Sequence, residues 1–596
     1  MSRPSSRLLH ALRVGNFKAF ADTQRIPLKP ITLIFGPNSA GKSSFIHSLA
    51  LAHEAQFGRE KRSLSRLDVH HTDVGGSAID LGGFRQYVHR GQMHKRVEWG
   101  AEMKVSELAS ARDKRLAQLL ASVEVVTLHI ALGIELDDQD RPKPGATPRV
   151  ESIELAGDGA ELLRMSRRRS DGQGSTLRLD RLASEHTVFR QVLKAIVESA
   201  TTSEEMRPED FDGINEAIAQ LLPELVIRVD QFFPTAVDLP KADGAELSPV
   251  SMLFPVSKGN RKDDIAQAVR FYLPRTLNDL IKGLAEALAG ELKQLQYLGP
   301  LRSFPPRHLA FAEHEDSNWY AGGGYAWDVV RRDDAVRESV NGWLGSSKLK
   351  TPYKLVVRSL VALDQLEGVI EEKLSEENFA CVEGLTHERE WVEIAKASDD
   401  SPLLPQNAMD HLLDVRGAIS DPERAASEIA KTIEASDADR IRELVLVDQR
   451  TNTVVTHRDV GIGISQVLPV LVMAYGSQGK LLAMEQPEIH LHPALQAELG
   501  DVFIEAALGS RQNTFILETH SEHLILRLMR RMRETYQQKD TGLPRLTPND
   551  ISVLYVEPDG TRSIVREMPL NELGELVKSW PGGFFEEGLR EQFGDA

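Results

Sequence analysis

Apolar residues recur along this chain with two different periods, and the period predicts which segments are strands and which are helices. Residues 8–28 alternate apolar and polar positions on either side of Gly15-Asn16, which predicts two antiparallel strands. The run Ile31–Phe35 is apolar throughout, as in a buried strand, and Ser43 to about Ala55 has helical spacing. The chain therefore begins with strands that lead through a glycine-containing loop into a helix.

Further strand patterns follow, and helical spacing then takes over at about residue 184. Residues 59–95 are polar and contain two pairs of adjacent glycines, so loops are expected there. Strands are predicted at residues 97–105, 123–136, 150–155 and 175–179. Helices are predicted within 184–222 and over 263–297, where Pro274 is expected to divide the helix in two. Residues 224–262 are expected to be irregular.

The C-terminal part returns to a mixture of strands and helices. Helices are predicted at residues 325–344, 421–436 and 467–475, and strands at 444–448, 453–457, 480–485, 513–517 and 553–556, with a polar loop at 395–407. Residues 299–307 and 557–560 are predicted to be turns, the first with Arg302 and Arg307 in position to be exposed. We therefore expect an N-terminal lobe (1–183), a largely helical insertion (184–297) and a C-terminal lobe (298–596).

Composition places the chain among globular proteins. Its 596 residues are too many for one core, so about two to four domains are expected. No apolar run is long enough to span a bilayer, and the N-terminus lacks the apolar core of a signal peptide. Cys381 is the only cysteine, which excludes an internal disulfide and a cysteine-based zinc site. We expect a cytoplasmic protein without membrane association.

The net charge of −17 argues against wrapping nucleic acid by bulk electrostatics. Any DNA contact would have to use a local basic patch. The two candidates are Arg167–Arg169 and the segment Arg527–Arg533. Short basic clusters of this kind are more often solvated surface than binding sites.

Chemistry is concentrated first in the segment Gly36–Ser43, which matches G-x-x-x-x-G-K-[ST] between a predicted strand and a predicted helix. Its glycines allow backbone N–H groups to surround phosphate oxygens, and the helix N-terminus adds partial positive charge. Lys42 is placed to reach the β- and γ-phosphates, and the Ser43 hydroxyl to ligate Mg²⁺. The candidate nucleotide-binding residues are Gly36, Asn38, Gly41, Lys42, Ser43 and Ser44.

Three later segments have features of a phosphate site, although each has an ordinary structural explanation. Gly461–Gln466 places glycines, Ser465 and Gln466 before a helix, which suits an anion or a simple helix cap. The strand at 480–485 ends in Glu485, where P-loop ATPases carry a carboxylate linked to Mg²⁺, or else in a polar turn. The strand at 513–517 is followed by His520, a candidate γ-phosphate contact or a capped turn.

A fourth segment, His490-Leu491-His492, is a weak metal candidate. Two histidines at this spacing can both contact one metal ion, but zinc sites use further ligands. No third ligand pattern accompanies them, so we reject a metal site at these histidines.

The order of these motifs resembles the ABC-type ATPase heads of the SMC, RecF and OLD group, whose first strands are similar to Val14–Phe20 here. A closer resemblance is to bacterial AAA-family ATPases with a C-terminal DUF3696-type segment. The matching stretches are Leu298–Arg302, Asp459–Pro469, Glu485–Pro493, Glu518–Leu524 and Ser579–Glu586. The resemblance covers roughly residues 8–105 and 297–590. It implies an α/β fold, an ABC-type P-loop NTPase head with a mixed β-sheet, flanking helices and an inserted helical domain.

The resemblance also implies roles for particular residues, with ATP and Mg²⁺ as cofactors. Gly36–Ser43 would be the Walker A loop, Glu485 the Walker B acid, and His520 the switch histidine. Gly461–Gln466 would be the signature loop, with Ser465 touching the γ-phosphate of ATP on a second subunit. Glu488 to Pro493 would run into the D-loop, and Gln86 is the candidate Q-loop residue and magnesium ligand. Sites of this kind need two heads, which implies a homodimer or a higher even oligomer.

One position departs from the wider group. The residue after the Walker B acid, usually a glutamate that orients the attacking water, is Gln486. Glutamine holds a water by hydrogen bonds but cannot accept its proton. We therefore expect a slow ATPase, or one in which Glu488 supplies the carboxylate.

Three functions are consistent with these features. The first is the ATPase sensor subunit of a bacterial antiphage defence system, similar to the ATPases of Septu-type or retron-associated systems, which control a separate effector nuclease. The second is a RecF/SMC-like DNA repair ATPase, and the third is an ATP-gated scaffold without nucleic acid. The tail beyond residue 556 carries acids but no strand-borne Asp-x-Asp, which argues against a nuclease within the chain.

Overall fold

The computed structural model describes residues 7–58, 67–110, 114–168, 176–200, 207–238, 260–302, 319–345, 348, 351–360, 441–455 and 462–581. The predicted loop at 395–407 and helix at 421–436 lie outside these residues, as do Arg307, Cys381, His457 and Gly461. The chain divides into two compact units. One contains residues 1–305, 313–353 and 456–596, and the other contains residues 306–312 and 354–455.

The elements of the described residues, in chain order, are the following. The strands are β1 (Leu9–Gly15), β2 (Gln24–Pro27), β3 (Ile31–Phe35), β4 (His71–Thr72), β5 (Gly76–Asp80), β6 (Val97–Lys104), β7 (Val125–Gly133), β8 (Arg149–Gly157), β9 (Ala160–Ser166), β10 (Thr176–Leu182), β11 (Val226–Arg228), β12 (Ala236–Asp238), β13 (Leu295–Leu298), β14 (Tyr353–Leu360), β15 (Ile441–Asp448), β16 (Thr453–Val455), β17 (Leu481–Glu485), β18 (Thr514–Glu518), β19 (Ile551–Asp559) and β20 (Arg562–Glu567). The helices are α1 (Lys42–Phe57), α2 (Phe84–Tyr87), α3 (Val105–Ser110), α4 (Lys114–Leu119), α5 (Thr187–Ala200), α6 (Pro208–Leu221), α7 (Arg261–Leu292), α8 (Tyr325–Arg332), α9 (Asp334–Leu344), α10 (Ile462–Gly476), α11 (Pro493–Leu508) and α12 (Glu522–Tyr536). Short 3₁₀ turns cover His89–Gly91 and Leu222–Glu224.

A nine-stranded antiparallel sheet dominates the N-terminal part of the larger unit. Its order is β12-β11-β10-β9-β8-β7-β6-β1-β2, so most neighbours in the sheet are also neighbours in sequence. The predicted strands at 97–105, 123–136, 150–155 and 175–179 are confirmed as β6, β7, β8 and β10. Strand β9 and the short strands β11 and β12 had not been predicted. Alternating side chains of this sheet enter one continuous core, in which Trp99 packs edge-on against Phe232.

A six-stranded sheet of order β13-β17-β18-β3-β19-β20 forms the second layer of the unit. The first five strands are parallel, and β20 joins the edge antiparallel to β19. Strands β3, β17 and β18 are buried at every position, as expected for parallel strands covered on both faces. The carboxyl ends of β3, β17 and β18 therefore meet at one edge, where parallel sheets place their ligand sites.

Three predictions about individual elements were wrong. Helix α7 continues through Pro274, because one missing N–H removes a single hydrogen bond while buried residues on both sides hold the helix in the core. Residues 295–297, predicted as the end of that helix, form β13 together with Leu298, beside β17. Strand β19 runs on to Asp559, and the turn falls at Gly560, whose φ of 61° favours glycine.

The smaller unit is described through β14, β15 and β16. The predicted hairpin is confirmed, since β15 and β16 pair antiparallel with Leu446 opposite Val455. Nothing in the described part of the chain forms a helix of the length and apolarity that a membrane span requires. The division into lobes at residues 183 and 297 stays a prediction.

Candidate nucleotide-binding site

The glycine loop between β3 and α1 has a backbone that only glycine tolerates at two points. Gly36 has a φ of 147° and Gly41 a φ of 96°. A Cβ on Gly36 would lie 2.3 Å from the carbonyl oxygen of Val556, and one on Gly41 would lie 2.3 Å from Cβ of Ala19. No side chain caps the N-terminus of α1, although the N–H of Ser44 donates to the carbonyl of Gly41 at 3.1 Å. This loop therefore fits an anionic ligand such as a phosphate chain.

The two reactive side chains of the loop contact a carboxylate that the sequence had not marked. Ser43 Oγ donates a hydrogen bond to Oε2 of Glu518 at 2.7 Å. Lys42 Nζ donates to the carbonyl of Pro37 at 2.9 Å and lies 3.9 Å from Oε1 of Glu518. Burial, and then the negative charge of Glu485, raise the pKa of Glu518 to about 7.

Glu485 ends β17 beside Glu518, its register partner on β18. Tyr297 of β13 donates its hydroxyl to Oε1 of Glu485 at 3.0 Å, and Nε2 of His47 lies 3.5 Å from the same oxygen. Behind His47, Nζ of Lys18 lies 2.5 Å from the other ring nitrogen. Burial lowers the pKa of Lys18 to about 8, against the opposite effect of Glu485. Glu485, the predicted Walker B acid, is thus contacted by both Tyr297 and His47.

Arg302 is a buried arginine that hydrogen-bonds to the start of α10 and to the end of β17. The prediction that it is exposed was wrong. Only 6% of the residue is accessible. Its guanidinium donates to the carbonyls of Gln466 at 2.9 Å, Glu485 at 3.3 Å and Gln486 at 2.9 Å. Burial lowers the pKa of Arg302 to about 10, so the group stays charged at neutral pH. Sequence reasoning missed this role because its acceptors are backbone carbonyls, which leave no pattern in the sequence.

Gln486, Glu488 and His520 lie at the same edge of the sheet. Gln486 has a φ of 47°, and its N–H donates to the carbonyl of Glu518 at 2.7 Å. Oε1 of Glu488 accepts from the backbone N–H of His520 at 2.8 Å, and burial raises the pKa of Glu488. Among the described residues, Oε2 of Glu488 and Nε2 of His520 are buried without a hydrogen-bond partner. An unsatisfied imidazole nitrogen here suits a ligand with polar oxygens.

The signature-loop residues fall inside a helix and not in a loop before it. Helix α10 begins at Ile462, earlier than the predicted residue 467. Ser465 is only 3% accessible, and Gln466 donates from its side chain to the carbonyl of Arg302 at 3.3 Å. The predicted contact of Ser465 with a nucleotide on a second subunit would therefore need this turn to become exposed.

Two other candidate residues have different surroundings. Gln86 is exposed on the short helix α2, and no described hydrogen bond or ion pair joins its side chain to Ser43 or Glu485. Its role as a magnesium ligand stays a prediction. His492 caps α11 by accepting from the N–H of Ala494 at 3.3 Å. Within the described ranges no group of three or more His, Cys, Asp or Glu side chains is arranged to hold a metal ion.

The basic segment 527–533 is largely neutralised by acids of the same unit. Arg527 and Arg531 both contact Asp501, at 3.0 Å and 2.6 Å, and Asp501 is 1% accessible. Arg530 and Arg531 also pair with Glu534. In the other cluster Arg167 donates to the carbonyl of Val150, and Arg169 lies outside the described residues. Arg527 and Arg531 are therefore held by acids of the same unit and are not free to contact a DNA backbone.

A glycine loop between a strand and a helix of a parallel sheet, with acids at the ends of the neighbouring strands, defines the class of P-loop ATPases. The chain matches three family models. These are an AAA domain over residues 11–119, an "AAA domain, putative AbiEii toxin, Type IV TA system" over residues 388–527, and a "Protein of unknown function (DUF3696)" over residues 546–592. The prediction of an AAA-type ATPase with a C-terminal DUF3696 segment is therefore confirmed. No curated protein matches the chain significantly.

Solved structures with some similarity include heads of SMC proteins. An SMC head bound to the C-winged helix domain of ScpA is 11% identical, covers 94% of this chain and 98% of its own, and has a TM-score of 0.31. A head from Pyrococcus furiosus bound to the C-terminal domain of ScpA is 10% identical, with coverage of 94% and 96% and a TM-score of 0.32. The Thermotoga maritima head is 8% identical, with coverage of 94% and 100% and a TM-score of 0.30.

Proposed function

We propose that this chain is a slow, magnesium-dependent ATPase whose ATP-bound dimer is its functional output. The observation that carries the proposal is the meeting of Lys42 and Ser43 with Glu518, the register partner of Glu485, at the carboxyl edge of the parallel sheet. Lys42, the uncapped start of α1 and the unsatisfied Nε2 of His520 fit the phosphates of ATP. Ser43 and Glu485 would hold Mg²⁺, which takes few protein ligands and completes its shell with phosphates and water.

Slow hydrolysis is inferred from the residue after Glu485. Gln486 cannot take a proton from water, and its backbone is fixed by hydrogen bonds with Glu518 and Arg302. Glu488 is the nearest alternative base in the sequence, but one of its oxygens already accepts from His520. We therefore propose that binding of ATP, more than its turnover, sets the state of the protein.

Dimerisation is inferred from the resemblance, in which the serine of the signature loop contacts ATP held by a second subunit. Ser465 is 3% accessible here, and the carbonyl of the next residue, Gln466, accepts from Arg302 at 2.9 Å. A second copy that brings its own Ser465 to the γ-phosphate would complete the site. The ATP-bound state is then the dimer, and the two copies separate when the γ-phosphate is lost.

The test is the mass of the full chain in solution, measured by light scattering without nucleotide, with ADP and with ATP and Mg²⁺. We expect a dimer only with ATP and Mg²⁺, and Lys42→Ala should abolish it. A chain that binds ATP and keeps one mass in all three conditions would exclude ATP-dependent dimerisation. A chain that binds no ATP would exclude the ATPase itself.

We further propose that this switch serves as the sensor or regulatory subunit of a bacterial antiphage defence complex and controls a separate effector nuclease. One matching family model is described by the name of a toxin–antitoxin system, which is in keeping with such a role. The neutralised arginines of 527–533 count against the alternative of a DNA-clamping repair ATPase. Co-purification with the products of neighbouring genes, with and without ATP, tests the proposal. Recovery of the chain alone in both conditions would overturn it.

A further inference from the structure

Glu518 occupies the centre of the candidate site and engages both reactive side chains of the glycine loop. One oxygen accepts from the Ser43 hydroxyl at 2.7 Å, and the other lies 3.9 Å from Lys42 Nζ. Only 5% of Glu518 is accessible. The same hydroxyl and ammonium are the groups that a magnesium–nucleotide complex would need. Glu518 and a magnesium–nucleotide complex would therefore compete for the same two side chains.

The charges around Glu518 favour a cation that arrives with the nucleotide. Glu485 and Glu518 are register partners at the ends of adjacent strands, and both are buried, with 7% and 5% accessible. The ammonium of Lys42, itself 4% accessible, is the positive group that contacts Glu518. A nucleotide without a metal ion adds several negative charges beside these two carboxylates, where Coulomb repulsion is stronger than in water. A divalent cation offsets that repulsion and offers the carboxylates a new partner.

We infer that Glu518 makes nucleotide binding depend on a divalent cation. It contacts Lys42 and Ser43, it repels nucleotide that carries no cation, and it releases both side chains when the cation and nucleotide bind together. The inference rests on the proposed ATPase function and adds a selectivity residue to the same site. Burial, and then the like charge of Glu485, raise the pKa of Glu518, in keeping with this geometry.

The experiment compares the affinity for a fluorescent ATP analogue in Mg²⁺ and in EDTA, at about pH 8, where carboxylates are ionised. The variant Glu518→Gln keeps the size of the side chain and removes its charge. In Glu518→Gln we expect the affinity in Mg²⁺ divided by the affinity in EDTA to be about tenfold lower than in the natural chain. The change should come from tighter binding in EDTA. Glu518→Asp keeps the charge and should retain the natural ratio within about threefold.

Glu505→Gln is the matched control, because Glu505 is an exposed carboxylate of α11 that also accepts from a hydroxyl, that of Tyr475 at 3.0 Å. It should leave the ratio unchanged. An unchanged ratio in a folded Glu518→Gln, or a lost ratio in a folded Glu518→Asp, would overturn the inference while the ATPase proposal stands. Failure of the natural chain to bind the analogue in Mg²⁺ would instead remove the proposed function on which the inference rests.

Discussion

At the scale of single residues, some side chains of the site could be located from the sequence, and others only from the arrangement of the strands. Glu485 and His520 stand at strand ends that the apolar pattern located, so both could be predicted from the sequence. The pairing of Glu518 with Ser43 could not, because it depends on β18 lying next to β3 in the sheet. The apolar pattern fixes where a strand ends but not which strand lies beside it.

Gln486 gives the most direct prediction about chemistry. Replacing it with glutamate supplies the missing proton acceptor, so Gln486→Glu should raise the ATP turnover number at least about tenfold. Steady-state phosphate release under saturating ATP measures this. Glu488→Gln is the companion variant, and it should abolish the residual turnover only if Glu488 acts as the base. Equal turnover in the natural chain and Gln486→Glu would show that position 486 does not limit hydrolysis.

Arg302 gives a prediction about stability. Arg302→Met leaves the carbonyls of Gln466, Glu485 and Gln486 buried without their charged donor, which should reduce the free energy of unfolding by about 3 kcal/mol. Urea unfolding measures the loss. Arg85→Met, on the exposed face of α2, is the control and should change stability little. If the two variants unfold alike, Arg302 does not fasten the site.

At the scale of elements, a strand or helix could be predicted when it was long enough for the period of its apolar residues to be recognised. Strands β6, β7 and β8 are long enough for alternation to show. β13 has four residues and follows α7 directly, so its apolar positions continue the helical pattern, and only pairing with β17 makes it a strand. The start of helix α10 could not be predicted either, because its first turn contains glycine and serine, which also favour loops.

The pairing of α11 with α12 depends on one buried acid. Asp501 of α11 accepts from Arg527 and Arg531 of α12, and Nζ of Lys348 lies 3.6 Å away. Asp501→Asn leaves these cations poorly paired and should lower the free energy of unfolding by about 3 kcal/mol. Thermal unfolding measures it, with the exposed Asp138→Asn as the control. A melting temperature equal to that of the control would mean that the helices are held by apolar packing alone.

At the scale of the whole molecule, the two ends of the chain meet at the site. Trp580, within the DUF3696 segment, packs edge-on against Phe35, with ring centroids 5.4 Å apart. Phe35 immediately precedes the glycine loop. Trp580 lies within one of the matching stretches and Phe35 within a predicted strand, but a contact across more than five hundred residues leaves no local signal.

This contact predicts that the tail supports nucleotide binding. Trp580→Ala removes an aromatic partner from the base of the glycine loop and should destabilise the chain by about 1–3 kcal/mol. It should also weaken ATP binding, because the loop is then held less rigidly. Calorimetric titration with ATP, combined with thermal unfolding, separates the two effects. Trp580→Phe should retain most of the stability and most of the affinity for ATP. Normal affinity in Trp580→Ala would show that the loop does not depend on the tail.

The strand order of the parallel sheet has a consequence for biosynthesis. β3, which carries the glycine loop, pairs with β18 on one side and β19 on the other, so its partners come from residues 514–518 and 551–559. The antiparallel sheet, in contrast, is made entirely from strands that end by Asp238. During translation the antiparallel sheet can form early, whereas β3 must wait for almost the entire polypeptide to leave the ribosome. A prematurely terminated chain would therefore contain the complete glycine-loop sequence and still be unable to bind ATP.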